Sequence, residues 1–278
     1  MKVYGQYRRR VEEALAYLQA RAGDFAPEIL VQLGTGLGGV VEALEVEACF
    51  AYTEIPGFPE VSVESHAGNL VLARLGGRRL ALLQGRFHWY EGYSAREVAL
   101  PVRVLGLLGV RTAIITNASG GLNPGFSPGT IMIIEDHINL LGDNPLRGPN
   151  EDSWGERFPD LSQPYSARLR ALARAAAGQL GFNNVAGGTY VCVPGPSLET
   201  PAETRYLREA GGDAVGMSSV PEVLVALHAG MEVLGLSVVT NVNDPEAMLP
   251  IRLAEILGAA GRAEPRLLAL IRTVIAEV

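Results

Sequence analysis

Residues 79–93 read RLALLQGRFHWYEGY. An apolar run of strand length, Arg79 to Leu83, ends at a glycine, and the chain then turns at once to Arg86, His88, Tyr90 and Glu91. A run this short, bounded by glycine, reads as a buried strand. If the backbone stays extended past the glycine, alternate side chains share a face, so Arg86, His88 and Tyr90 present a guanidinium, an imidazole and a phenol together. Working outward, the same pattern recurs along the chain. EILVQLG (28–34) precedes Thr35, TAIIT (112–116) precedes Asn117 to Gly121, and YVCVPG (190–195) stands a turn before Glu199. DAVG (213–216) precedes Met217 and Ser218, and LSVVT (236–240) precedes Asn241. Further apolar runs lie at 69–75 and 130–135. Between these runs, helical patterns are predicted at about 6–21, 95–109, 166–181, 200–211, 220–230 and 252–277, with Leu172, Ala176 and Leu180 marking one apolar face and Pro101 starting or kinking the second. Alternating strands and helices predict an α/β sheet. In such a sheet ligands bind beyond the strand C-termini, so these polar clusters converge on one pocket.

The remaining composition narrows the class. At 278 residues with 48% hydrophobic content, the chain can bury a large core. With no Ser- or Pro-rich linker and no repeat, one domain over 1–278 is expected. Its 23 basic and 30 acidic residues give a net charge of −7, which disfavours general attraction to nucleic acid or to an anionic membrane. No apolar run reaches the ~18 residues of a membrane helix, and MKVYGQYRRR carries no apolar segment behind its charges. A cytoplasmic location is expected. Cys49 and Cys192 fit no disulfide or metal framework and read as buried small hydrophobes. The four histidines, His66, His88, His137 and His228, show no ligand spacing, so no metal is expected, and His228 in an apolar helix reads as structural.

GTGLGG (34–39) satisfies the G-x-G-x-x-G spacing after a strand and admits a dinucleotide reading, hence an NAD-dependent oxidoreductase. Its physical content is broader. Small residues let backbone N–H groups approach an anion, which suits free phosphate equally well. The oxidoreductase reading leaves QGRFHWYEGY and PGPSLET without a role. A pure binding module built on the same site is the competing reading from a non-enzyme class.

The strings GTGLGG, SHAG (65–68), QGRFHWYEGY (84–93), TNASGGLNP (116–124), DHINL (136–140), NPLRGPN (144–150), PGPSLETPAE (194–203), AVGMSSVPE (214–222) and VVTN (238–241) occur in the order of one family. The chain resembles the trimeric type of purine nucleoside phosphorylase from about residue 25 to 241 and more loosely to its end. The resemblance implies a central mixed β-sheet flanked by helices and phosphorolysis of purine nucleosides (inosine, guanosine) in a homotrimer, with inorganic phosphate as co-substrate and no cofactor. It places phosphate at Thr35, His66, Arg86, His88, the Ala118 backbone N–H and Ser218. Ribose falls to Tyr90 and Met217. The base falls to Tyr190, Leu198, Glu199, Val215 and Asn241, with Phe158 lent by a neighbouring subunit. His88, Glu199 and Asn241 are the implied catalytic groups. Three departures stand out: Thr35 replaces a serine, Leu198 replaces a phenylalanine, and the segment after Asn241 is short. That last change puts Leu253 where a histidine would meet the ribose 5′-hydroxyl and opens the alternative of a 5′-methylthio purine nucleoside.

Overall fold

A computed structural model describes residues 2–34, 44–61 and 67–278. Thr35 and His66 lie outside the described residues. Nine strands among the described residues form the frame: β1 (Ile29–Leu33), β2 (Glu45–Ala51), β3 (Asn69–Leu75), β4 (Arg78–Gln84), β5 (Thr112–Gly121), β6 (Ile131–Asn139), β7 (Val185–Cys192), β8 (Ala214–Gly216) and β9 (Glu232–Val242). The helices are α1 (Lys2–Ala22), α2 (Ala95–Val98), α3 (Leu100–Leu108), α4 (Ala167–Gln179), α5 (Pro201–Glu209), α6 (Val220–His228) and α7 (Leu253–Glu277).

The strand order is β2-β3-β4-β1-β5-β8-β7-β6-β9, and β9 also pairs with β5. The circuit β5-β8-β7-β6-β9 therefore closes on itself, while β1, β4, β3 and β2 continue outward as a twisted wing. The sheet is mixed: β1 runs parallel to β4 and β5, β5 parallel to β9, and β6 antiparallel to β9. Period-two alternation explains why it is covered on both faces. Leu30, Leu72, Ala81, Leu83, Ala113 and Ile115 join one core with α1, α3 and α6. Their neighbours Ile29, Val31, Val71, Leu80, Leu82 and Ile114 join the other with α4 and α7.

Pro101 does more than kink its helix. The predicted helix at 95–109 divides at Ala99 into α2 and α3, with Pro101 in the first turn of α3 and Ser94 capping α2 through the Glu97 N–H. A proline in a first turn loses no intrahelical bond, whereas deeper in a helix it would. Two other expectations are corrected. The edge strand β2 matches no predicted strand, and Cys49 within it is exposed rather than buried. Glu45 and Glu47 face solvent there, as an edge strand permits. Cys192 is buried and its thiol is pushed up to about 12, chiefly by desolvation. His228 is buried as expected, with Arg103 donating toward its Nδ1 at 2.8 Å, and burial holds its pKa down to about 4.

Gly235 in β9 shows how tightly the closed circuit is packed. A Cβ there would stand 2.8 Å from Tyr165 Cε1 and 2.9 Å from Ile134 Cβ, and both neighbours are buried. Gly235→Ala is expected to destabilise the fold by about 1–3 kcal/mol through overpacking. Urea denaturation should show the midpoint falling at constant m-value; an unmoved midpoint would show that the circuit has slack at this point.

Candidate active site

The polar segments after the strands do meet, in a cavity of about 320 Å³. Arg86, His88 and Tyr90 enter from the loop after β4, Ala118 from β5, Leu198 and Glu199 from the loop after β7, and Val215, Met217 and Ser218 from β8 and its exit. Asn241 enters from the end of β9. The backbone explains the first group only in part. His88 is extended, and the side chains alternate as in a strand: buried Phe87 packs on Tyr52 and Tyr93 while Arg86 and His88 line the cavity. Tyr90 then reaches the same cavity from a 3-10 turn over Trp89–Glu91, not by strand alternation.

Arg86 is 3% exposed, and its fork is divided among three segments. Its Nη1 donates to Thr116 O at 2.7 Å and to Ser218 Oγ at 3.3 Å, its Nε to Glu222 Oε1 at 3.3 Å, and its Nη2 stands 3.2 Å from Glu222 Oε2. Glu222, in the first turn of α6, is equally buried. His88 is held just as firmly: its N–H donates to Glu91 Oε1 at 2.7 Å, and its Nδ1 lies 2.9 Å from the same oxygen. A carboxylate only accepts, so Nδ1 carries a proton and, in the neutral ring, Nε2 is the acceptor. The ring stacks on Tyr90 at 4.7 Å, and burial pushes the Tyr90 phenol up to about 12, keeping it a neutral donor.

Behind this wall runs a buried polar network. Ser237 donates to Asn117 Oδ1 at 2.6 Å, Ser119 and Ser237 share a hydrogen bond at 2.6 Å, and Asn117 Nδ2 donates to Ser219 Oγ at 2.9 Å. Ser219 sits at φ +67, a left-handed value unusual for serine. It forms the bend between Ser218 and α6. Ser218 therefore stands at the start of a nine-residue helix, where the backbone favours an anion.

At the opposite chemical pole, Glu199 is half-buried, and desolvation raises its carboxyl pKa. Asn243 Nδ2 donates to Glu199 Oε2 at 3.2 Å, and Asn241 Nδ2 donates to Asn243 Oδ1 at 2.7 Å. Met248, Leu249, Pro250, Ile251, Leu253 and Ile256 complete the wall as an apolar strip.

Two implied site residues lie elsewhere. Tyr190 does not line the cavity: it is wholly buried behind Gly216, where a Cβ would collide with its hydroxyl, and that hydroxyl accepts from the Ser218 N–H at 3.4 Å. Its role is support from below, because β7 directs it into the core. Phe158 is 84% exposed and is not among the walls of its own chain's cavity. Sequence reading misses Glu222, Thr240 and Asn243. Glu222 lies in a quoted string, AVGMSSVPE, but a glutamate in a first helical turn ordinarily reads as a solvated partner of the helix dipole.

The match to known proteins covers nearly the whole chain. The model of the phosphorylase superfamily matches residues 28–276. Purine nucleoside phosphorylase 1 of Geobacillus stearothermophilus is 46% identical over 268 residues, covering 96% of this chain and 97% of its own. Among solved structures, Schistosoma mansoni purine nucleoside phosphorylase in complex with adenosine superposes with a TM-score of 0.91 at 40% identity, covering 97% of both chains. A schistosoma purine nucleoside phosphorylase in complex with hypoxanthine gives 0.90 at the same identity, again covering 97% of each.

The Arg86–Glu222 pair yields a direct expectation. Glu222→Gln keeps the shape but leaves a buried guanidinium without its countercharge, a loss of about 3–5 kcal/mol. Denaturation should show that loss, and added inorganic phosphate should restore more stability to the variant than to the wild type. Equal stability of the two proteins would mean that the pair is not what holds Arg86.

Proposed function

Because the chain belongs to the phosphorylase superfamily and, within it, to the purine nucleoside phosphorylases, we propose the following division of labour for phosphorolysis of inosine and guanosine. A phosphate oxygen attacks C1′ while the C1′–N9 bond breaks with its electron pair passing to the purine. The proton that hydrogen phosphate carried ends on the released base, and the other product is ribose 1-phosphate. Positive charge grows on the ribose ring and negative charge on the purine, so the reaction is favoured by an anion below the sugar and a donor at the base.

Phosphate belongs with Arg86, Ser218, the Ala118 N–H and Nε2 of His88; Thr35 and His66 are assigned to the same anion. Tyr90 and Met217 flank the ribose. Glu199 accepts from the purine N1–H, Asn241 donates to the ring, and Leu198 and Val215 cover its faces. The nucleophile and leaving-group stabilisation come from phosphate and these side chains, so no metal or cofactor is assigned. The observation that carries the reading is the polarity of one cavity: a buried guanidinium and a helix start at one group of walls, a carboxylate and amides at another. One domain, a homotrimer with Phe158 completing a neighbour's site, and a cytoplasmic location complete the proposal; the exposure of Phe158 supports an intersubunit role. Inosine cleavage is expected to require phosphate and to yield ribose 1-phosphate, as a coupled assay for hypoxanthine with and without phosphate will read. Release of free ribose at a comparable rate without phosphate would sink the assignment.

A second reading concerns the ribose 5′ position. Among the described residues, the side chains from Met248 to Ile256 that line the cavity are all apolar, and Leu253, 66% exposed, lines it instead of turning into the core. An apolar 5′ substituent packed there gains ~0.8 kcal/mol per methylene equivalent buried. The methylthio analogue of inosine, substituted at the 5′ carbon, should be cleaved at least as efficiently as inosine itself when the two are compared by kcat/KM. A loss of more than about tenfold, or ~1.4 kcal/mol, would refute the apolar 5′ pocket.

A further inference from the structure

The end of β9 carries a hydrogen-bonded chain whose direction is set by chemistry. A carboxylate can only accept, so the group that Asn243 turns to Glu199 must be its NH₂. Asn243 Oδ1 then faces Asn241, which must answer with its own NH₂, as the 2.7 Å contact shows. The other end of the Asn241 amide is occupied too: the Thr240 hydroxyl lies 3.0 Å from Asn241 Oδ1 and 3.1 Å from Ser119 O. Asn243 itself is 5% exposed, and its backbone is fixed by its N–H donating to Gly121 O at 2.9 Å and by Arg208 donating to its carbonyl. Gly120 of β5 lies beside both amides: a Cβ there would be in ordinary contact with them, 3.4 Å from Asn243 Nδ2 and 3.6 Å from Asn241 Nδ2.

The geometry points to Asn243 as a specificity-determining residue that holds the Asn241 amide in one orientation, so that the cavity offers a purine one carboxylate acceptor and one amide donor. This rests on the reading that the cavity takes a purine. The offered pattern complements a 6-oxopurine, whose N1–H donates and whose O6 and N7 accept. It opposes a 6-aminopurine, whose N1 accepts and whose amino group donates. Asn243 is therefore a positioning residue, acting through Asn241 and Glu199. Without it, Asn241 is free to turn its oxygen toward a 6-amino group. Glu199 also loses a donor that favours its ionised form, which eases its protonation opposite an adenine N1. The negative charge of Glu203 acts on Glu199 in the same direction.

The test uses the full chain, with calorimetric binding of hypoxanthine and adenine as free bases and phosphorolysis of inosine and adenosine measured in parallel. Asn243→Leu removes both hydrogen bonds at similar volume. The hypoxanthine-to-adenine affinity ratio and the inosine-to-adenosine ratio of kcat/KM should each fall by about tenfold or more, the scale of one buried hydrogen bond lost. Asn243→Asp keeps an acceptor toward Asn241 but sets a second carboxylate beside Glu199. Its preference for hypoxanthine should be weakened at about pH 5.5, where the two carboxylates can share a proton and Glu199 can donate it to an adenine N1, and should recover toward about pH 7.5 as both ionise and accept, a profile a merely structural role would not produce. Wild type that selects hypoxanthine, with an Asn243→Leu ratio unchanged, would overturn the inference and leave the purine reading intact. Should the leucine variant not fold, a wild-type ratio at every pH in Asn243→Asp overturns it equally. Wild type that binds neither base would instead remove the purine reading, and the inference with it.

Discussion

Arg86 cannot be left alone where it is. A guanidinium stays charged at any physiological pH, and at 3% exposure it has almost no water to share that charge. The fold answers with Glu222 from α6, the Thr116 carbonyl from β5 and the Ser218 hydroxyl from the exit of β8. Burying the charge therefore constrains two stretches far apart in sequence, one at Thr116 and one running from Ser218 to Glu222, to meet at the tip of β4. The same meeting sets the Ser218–Ser219 bend and the start of α6 beside the guanidinium, so the requirement to satisfy a buried cation also builds the place where an anion can bind. Glu222 balances the charge at this point while the guanidinium still lines the cavity.

The closed circuit of strands makes that arrangement stiff. β5 pairs with β9 along nearly its whole length and with β8 at its tip, so Ala118, Val215 and Asn241 are fixed relative to one another by main-chain hydrogen bonds and not by loops. Segments less tightly tied by strand pairing carry the variable parts. The stretch from Asp244 to Arg252 has no regular helix or strand, and its apolar side chains, joined by Leu253 and Ile256 from the start of α7, form the strip on the far wall. Rigid strands hold the chemistry, and a connection into α7 adjusts what surrounds it.

How much of this is legible in the residues alone varies with the physics. Fully buried strands announce themselves, because ILVQL and RLALL have nowhere to go but a sheet covered on both faces. The apolar pattern marks β5 only to Thr116, yet the strand runs to Gly121, since Asn117 and Ser119 look like loop residues until their partners on β9 and at the bend before α6 are known. β2 is invisible in the pattern: an exposed edge with Glu45 and Glu47 gives no apolar run. The site follows the same rule. Side chains at or just beyond strand ends, such as Arg86, Ser218 and Asn241, do line the cavity, whereas Tyr190, two residues before the end of β7, faces the core. Glu222 and Asn243 act by touching other side chains, and such pairings are set by tertiary geometry that linear spacing does not carry.

The central claim is that the buried guanidinium organises a site in which phosphate is the nucleophile. It is tested most directly by following oxygen atoms when inosine is cleaved with phosphate labelled by ¹⁸O at all four positions, in ordinary water. Attack by phosphate predicts ribose 1-phosphate retaining all four labels, the bridging oxygen at C1′ included. Ribose 1-phosphate lacking the bridging label, or unlabelled ribose as the primary product, would contradict the account.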